Sequence, residues 1–229
     1  MYMLKPVLCQ VAAFVGGALL SSAALSAATQ VSYPASEGAS DTRHDDVIEI
    51  LRTALSETVP EFGPFELQAA PRKLNKEQIF SELKAGKTIN IAWGPTSAEK
   101  EAAMLPLRIP LRKGLLGYRI ALIQKDKQAQ LDKVKTLPDL KKLSILQGSG
   151  WSDVKLYEAN GFKVSTAKYD ALFKMTASGS IDLFPRGLSE VFGEHQKNLK
   201  NNPDLAIEQG MLIYYPWPYY FFFNKNETA

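Results

Sequence analysis

The chain carries one cysteine and two histidines among 229 residues. A lone thiol excludes an internal disulfide framework and any multi-cysteine metal site. The two histidines, His44 and His195, leave little for a histidine-based metal centre. Neither sign of charge dominates: 27 basic against 24 acidic residues give a formal +3. The basic residues are scattered, so nothing argues for nucleic acid as a partner. There is no Walker loop and no dinucleotide fingerprint, and tandem repeats and low-complexity tracts are missing. Gly148-Ser149-Gly150 lacks the Gly-x-Ser-x-Gly spacing of a nucleophile elbow. Both histidines read as solvated surface residues, which leaves a serine triad without a base. The carboxylate pairs Asp45/Asp46 and Asp182/Glu190 read as helix-end charges or salt bridges. No residue pattern marks an enzyme, and neither a cofactor nor a metal is expected.

Long apolar runs are confined to one place. Met1 to Lys5 is short and carries one positive charge, Val7 to Leu20 is almost wholly apolar, and Ser21 to Ala28 is small and weakly polar. That three-part order predicts a secretory signal peptide over residues 1–28, with Ser26 and Ala28 as the small residues at the cleavage point. A membrane anchor is the alternative, since the stretch is long enough to span. Cys9 lies inside the apolar stretch and not at its end, which argues against lipidation. Removal of the signal leaves a cysteine-free chain of about 200 residues, suited to an oxidising compartment. The aromatic run from Ile213 to Phe223 is too short to span and is interrupted by Pro216 and Pro218.

What remains alternates strand and helix. Gln30 to Ala35 reads as a strand, and a helix follows from Asp45 to its expected end at Pro60. Phe65 to Ala69 alternates as a strand. Asn75 to Gln78 fits a capping box, and Gly86 stops the helix it opens. Thr88 to Trp93 reads as a strand, Gly94-Pro95-Thr96-Ser97 as a loop, and Gly117 to Gln124 as a strand. After the charged stretch 125–142, a second series begins. It comprises a strand at Leu143 to Gln147, a turn at Gly148 to Gly150, and helices at Trp151 to Ala159 and Tyr169 to Ala177. A strand at Ile181 to Phe184 and a helix at Gly187 to Lys200 follow. The pattern predicts an α/β chain in two blocks with mostly parallel sheets.

Each block has a loop that follows a strand and precedes a helix. The first contains Trp93, Gly94, Thr96 and Ser97, and the second Ser149, Gly150 and Trp151. In open α/β sheets ligands bind beyond the carboxyl ends of strands. Gly and Ser admit close approach of the backbone, helix N-termini favour an anionic or carbonyl group, and Trp supplies an apolar wall. Two matching loops predict a binding cleft between the blocks.

At this point the chain resembles a type 2 periplasmic solute-binding protein, and more narrowly the family-3 group that includes polar amino-acid binders. The resemblance rests on 143–150 as the entry to a second lobe. It rests also on the order Tyr169-Asp-Ala-Leu172, then Gly179-Ser-Ile-Asp-Leu183, and on 212–223 as a strand returning to the first lobe. It implies a two-lobed fold, each lobe a mostly parallel sheet flanked by helices, that closes on a ligand by a hinge. The implied division is lobe 1 over 29–124, lobe 2 over 125–210, and a return strand to lobe 1 over 211–229. Family members usually continue with a helix that completes lobe 1. Asn226-Glu227-Thr228 would begin such a helix, so lobe 1 is expected to be truncated there, which predicts low stability or a partner that covers the open sheet face.

The resemblance also implies partners and site residues. An arginine of lobe 1 usually holds the ligand carboxylate, but here Ser97-Ala98-Glu99-Lys100-Glu101 puts Glu101 in its place. An acid of lobe 2 usually takes the ligand amine, but here Pro185-Arg186-Gly187 supplies a base. The expectation is therefore that Arg186 meets an anionic group, since guanidinium binds carboxylate bidentately, with pairing to Glu190 as the alternative. Arg43 and Arg108 are further basic candidates, and Tyr215 the aromatic of the return run with the best chance of exposure. The reading is an exported, monomeric binder of a small polar molecule that serves a membrane permease. A signalling receptor and, less so, an enzyme on the same fold are the alternatives.

Overall fold

The computed structural model describes residues 27–37 and 41–226. The expected signal peptide, apart from its last two residues, and the expected closing-helix start beyond Asn226 lie outside the described residues. No helix among the described residues is long and apolar enough to cross a membrane.

The first half runs β1 (Thr29–Tyr33), α1 (Asp45–Phe62), β2 (Phe65–Ala69), α2 (Lys76–Ala85), β3 (Ile91–Pro95), α3 (Ala98–Ala103) and β4 (Leu105–Leu107). Local chemistry sets several boundaries. The Asn75 side chain accepts from the Gln78 amide at 2.8 Å, and the Gln78 side chain accepts from the Asn75 amide at 3.0 Å, so the expected capping box forms. Gly86 ends α2 in the left-handed region at φ +61°, as its lack of a Cβ allows. Pro60 does not end α1. It sits in the last turn, where one missing amide costs a single bond, and the Gly63 amide closes the helix on the Val59 carbonyl at 2.9 Å. Asp45 and Asp46 occupy the first turn as expected.

β1 and β2 pair in parallel, and β11 (Tyr219–Phe223) lies antiparallel between β3 and β4. Asn90 joins these two ladders: its side chain accepts from the Ser32 amide at 2.9 Å and donates to the Gln30 carbonyl at 2.7 Å. The side chain thus holds the place the sequence assigned to the first residues of a strand from Thr88. The far end of β3 also differs from expectation. Gly94 and Pro95 pair with Tyr220 and Tyr219, so both belong to the strand and not to the loop. Ile91, Trp93 and Phe221 pack toward α1, whereas Ala92 and Phe222 pack toward α2 and α3. Burial on both faces accounts for the unbroken apolar Ile91–Trp93 and the aromatic run Tyr219–Phe223.

Two 3-10 turns separated by a kink at 112–114 span Leu111–Gly117 and lead to β5 (Tyr118–Gln124). The charged stretch 125–142, helical in pattern and broken by Pro138, forms two short helices, α4 (Gln128–Leu131) and α5 (Leu137–Leu140). Pro138 falls in the first turn of α5, where its missing amide is harmless. Then come β6 (Ser144–Gly148), α6 (Asp153–Ala159), β7 (Lys163–Ala167), α7 (Tyr169–Ala177), β8 (Phe184–Gly187), α8 (Val191–Leu199), β9 (Leu205–Ile207) and β10 (Ile213–Tyr214). β6 and β7 pair in parallel, and a parallel bridge from Ile145 to Leu183 ties β6 to the start of β8.

β5 pairs antiparallel with β8, β9 and β10. It therefore belongs to the second sheet, although the division at residue 124 placed it in the first lobe. The parallel pairing expected from strand–helix alternation is found in β1–β2 and β6–β7. The strands that cross between halves are antiparallel because the chain passes over and returns. β8 also lies three residues later than expected, which carries Arg186 into the sheet opposite Ile120, and α8 starts at Val191 after a turn at 187–190.

Candidate functional site

Between the two halves lies a cavity of about 70 Å³, room for several water molecules. The first half lines it with Arg43 and His44 at the entry to α1, Lys76 and Phe80 on α2, and Trp93, Gly94 and Pro95 at the end of β3. The second half contributes Trp151, Ser152 and Asp153 at the entry to α6, Arg186 on β8 and Glu190 ahead of α8. Leu116, Arg119, Trp217 and Tyr219 come from the crossing stretches and the strands beside them.

Arg119 is 4% exposed although it stands on β5 among apolar neighbours. Its guanidinium lies 5.1 Å from the Tyr215 ring centre and 5.7 Å from that of Trp217. Asp153 stands 3.7 Å from Nη2, and the Tyr215 hydroxyl donates to Asp153 at 3.3 Å. The Arg119 Nε is buried with no hydrogen-bond partner. An unmet donor on a buried charge is costly.

Arg186 is more fully satisfied. Its Nε and Nη2 donate to Glu194 at 2.6 and 2.8 Å, and Nη2 also meets Glu190 at 2.9 Å. The Tyr169 hydroxyl donates to the same Glu194 at 2.9 Å. Burial opposes ionisation of Glu190, but Arg186, Arg119, Arg43 and Arg112 outweigh it and hold the carboxyl down at about 2. The pairing given above as the alternative for Arg186 is thus present, and Glu194 adds a second acid.

His44 is not on the surface. Its ring meets Trp93 edge-on at 5.7 Å and stacks on Tyr219 at 6.4 Å, and both ring nitrogens are buried without partners. Burial first, then the charges of Lys76, Arg43 and Arg112, push its pKa well below the usual range, so the imidazole is neutral. His195 is partly buried as well, with Nε2 at 3.0 Å from the Leu205 carbonyl oxygen. Burial, with Lys76 nearby, lowers Lys100 to about 8, while its ammonium donates to the Pro95 carbonyl at 2.7 Å.

No family model and no curated protein matches this chain. Solved structures do. An ancestral arginine-binding protein bound to arginine is similar at TM-score 0.60 and 16% identity, over 89% of this chain and 87% of that one. The arginine-bound form of truncated ArgBP from T. maritima is similar at TM-score 0.57 and 17% identity, over 86% and 88%. The GluR0 ligand-binding core from Nostoc punctiforme, in complex with L-glutamate, is similar at TM-score 0.61 and 11% identity, over 86% and 85%. The fold is that of a type 2 periplasmic binding protein. At such identities the likeness carries the two-lobed architecture and not the ligand.

The two-lobed fold brings some of the sequence candidates together and leaves others apart. Arg43, Trp93, Gly94, Trp151 and Arg186 line the interlobe cavity. Tyr215 is buried behind it, bonded to Asp153, and is not the exposed aromatic that was expected. Thr96 turns away to donate to Glu101 at 2.6 Å, and Ser97 caps α3 by accepting from the Lys100 amide at 3.2 Å. Arg108 pairs with Glu101 at 2.6 Å on the surface. Ser149 and Gly150 are exposed and shape the turn: the Ser149 amide donates to the Ala167 carbonyl at 2.9 Å, and Gly150 takes φ +76°.

Sequence reasoning missed Arg119, Asp153, His44, Glu190 and Trp217. For Arg119 the signal was available: a single charge inside the otherwise apolar strand Tyr-Arg-Ile-Ala-Leu-Ile is the kind of buried polar position that calls for a reason. For Asp153 it was weaker, an acid in the first turn of a helix. For His44 there was none, because its burial comes from Trp93 and Tyr219, both distant in sequence.

Proposed function

We propose that this chain is an exported solute-binding protein whose two lobes close on a small polar solute bearing a carboxylate. The observation that carries the reading is Arg119, a buried guanidinium on the cavity wall with an unpartnered Nε. It takes over the anion-binding role first assigned to Arg186, whose Nε and Nη2 are held by Glu190 and Glu194. Asp153 and Glu190 stand on the same wall, ready to accept from a protonated or hydroxyl group of the solute. Trp93, Trp217 and Tyr219 give it apolar sides. A solute with both an acidic and a donating group, as in a small amino or hydroxy acid, satisfies the whole set. The signal-like pattern of residues 1–28 supports export, and a membrane permease is the partner that would read the closed form. Native mass spectrometry of protein purified from the exported compartment tests this. The expected result is a retained small-molecule adduct that leaves on mild activation. Protein that is ligand-free and takes up no carboxylate solute on incubation would overturn it.

A further inference from the structure

Arg43 reaches out of the first lobe and ends against the second. Its guanidinium lies 4.2 Å from the Tyr169 ring centre and 4.9 Å from that of Trp151. Asp41 receives it as a fork, from Nε at 2.7 Å and Nη2 at 2.8 Å, and Glu37 stands 3.2 Å from the same Nη2. Glu37 in turn accepts from the Trp151 indole at 3.4 Å, which closes the frame around the cation. The side chain is 5% exposed. Two aromatic faces, one bidentate carboxylate and a second acid make a complete receptor for a planar cation. The receptor is split between lobes, with the acids on one and the rings on the other, and it adjoins the cavity that Arg43 and Trp151 both line.

We propose that Arg43 is a built-in surrogate ligand: its guanidinium fills an aromatic, acid-walled subsite and so bars solutes with cationic side chains from the cleft. This rests on the reading that the interlobe cavity is the solute site. Two physical facts support exclusion. Arg43 is covalently tethered, so its effective concentration in the subsite exceeds that of any free solute at ordinary levels. A second cation would also find the nearby acids already engaged, Asp41 and Glu37 by Arg43 and Glu190 and Glu194 by Arg186. The subsite therefore serves selectivity, and the solute is confined to the part of the cavity around Arg119.

The test uses the full exported chain and two probes, L-arginine and methylguanidinium, each titrated into wild type and Arg43→Ala by calorimetry and thermal melting. Wild type is expected to show no saturable binding of either probe at millimolar concentration. Arg43→Ala is expected to bind methylguanidinium about tenfold or more tighter than wild type does, with part of its lost melting temperature restored. Saturable binding of either probe by wild type would overturn the proposal, as would a folded Arg43→Ala protein with no gain. If Arg43→Ala does not melt cooperatively, Arg43→Gln, which keeps an N–H for Asp41, takes its place with the same two outcomes, and the wild-type titration decides by itself. Methylguanidinium has no carboxylate, so its rescue reads this subsite alone. A carboxylate panel on the same wild-type sample reads the Arg119 site, which separates failure of this inference from failure of the function proposed above.

Discussion

At the scale of single residues, the site is a set of charges whose burial decides their work. Arg186 is 2% exposed and holds Glu190 and Glu194 together. Removing one partner of a buried ion cluster leaves the others uncompensated, at a cost of about 3–5 kcal/mol. Arg186→Met is accordingly expected to lower unfolding stability in urea by about that amount, and a change within error would mean the triad is not structural. His44 gives a pH prediction. Its folded pKa is depressed below the unfolded value of about 6.5, so the unfolded chain binds a proton that the folded chain refuses. Its contribution to stability is present above about 6.5 and is lost as pH falls, at up to about 1.4 kcal/mol per pH unit. Lys76, Arg43 and Arg112 act on the ring in the same direction, and Glu190 opposes them. His44→Phe is expected to flatten the decline in melting temperature between pH 7 and 5. Glu190, held at about 2, follows the same sign in a lower window, keeping its contribution above its unfolded value of about 4.3 and losing it toward about 2. Equal slopes for wild type and His44→Phe above pH 5 would contradict the assignment to His44.

At the scale of elements, the turn after β6 sets the cavity wall. A Cβ on Gly148 would stand 2.1 Å from the Trp151 ring, so only glycine lets that ring fold back over the strand end. Gly148→Ala is expected to cost about 1–3 kcal/mol and to change tryptophan fluorescence by displacing Trp151. An unchanged spectrum with native stability would show that the ring has room. Elements whose signals are local were legible. The α2 capping box, the Gly86 stop and α7 over Tyr169–Ala177 follow from residues within a few positions of one another. Elements set by distant partners were not. Ile181 to Phe184 had the apolar look of a strand, yet the ladder that forms is Phe184–Gly187, because it pairs with β5 and because Glu190 and Glu194 neutralise Arg186 inside it. Thr88 gave way to Ile91 as the start of β3 because the Asn90 side chain bonds β1. Of the candidate residues near the first loop, Gly94 is taken into β3, and Thr96, Ser97 and Arg108 are committed to Glu101 and to capping α3.

At the scale of the whole molecule, the chain crosses between lobes through 108–117 and again through 215–218. The first crossing holds Arg112, Lys113 and Gly114 in the left-handed region at φ 57°, 50° and 82°, a run that non-glycine residues adopt at a cost. Arg112 is anchored there by bonds to Asp46 and to the Arg43 carbonyl, and it approaches Glu190 at 3.7 Å. Arg43 on the Trp151 and Tyr169 rings, Lys100 with Ser152 at 3.4 Å, and Lys197 with Thr42 also bridge the lobes. The two-block α/β organisation was readable because strand–helix alternation is a whole-chain pattern. The membership of β5 was not, since a crossing strand carries no local mark of the sheet it joins. The proposed function requires the cleft to bind a carboxylate through Arg119. The direct measurement is calorimetric titration of wild type and Arg119→Met with a panel of small amino, hydroxy and dicarboxylic acids. At least one is expected to bind wild type saturably at one site, and Arg119→Met to weaken that binding about 30-fold or more, near 2 kcal/mol, while still melting cooperatively. No binding of any panel member to wild type, or equally tight binding by Arg119→Met, would rule out a carboxylate site at Arg119.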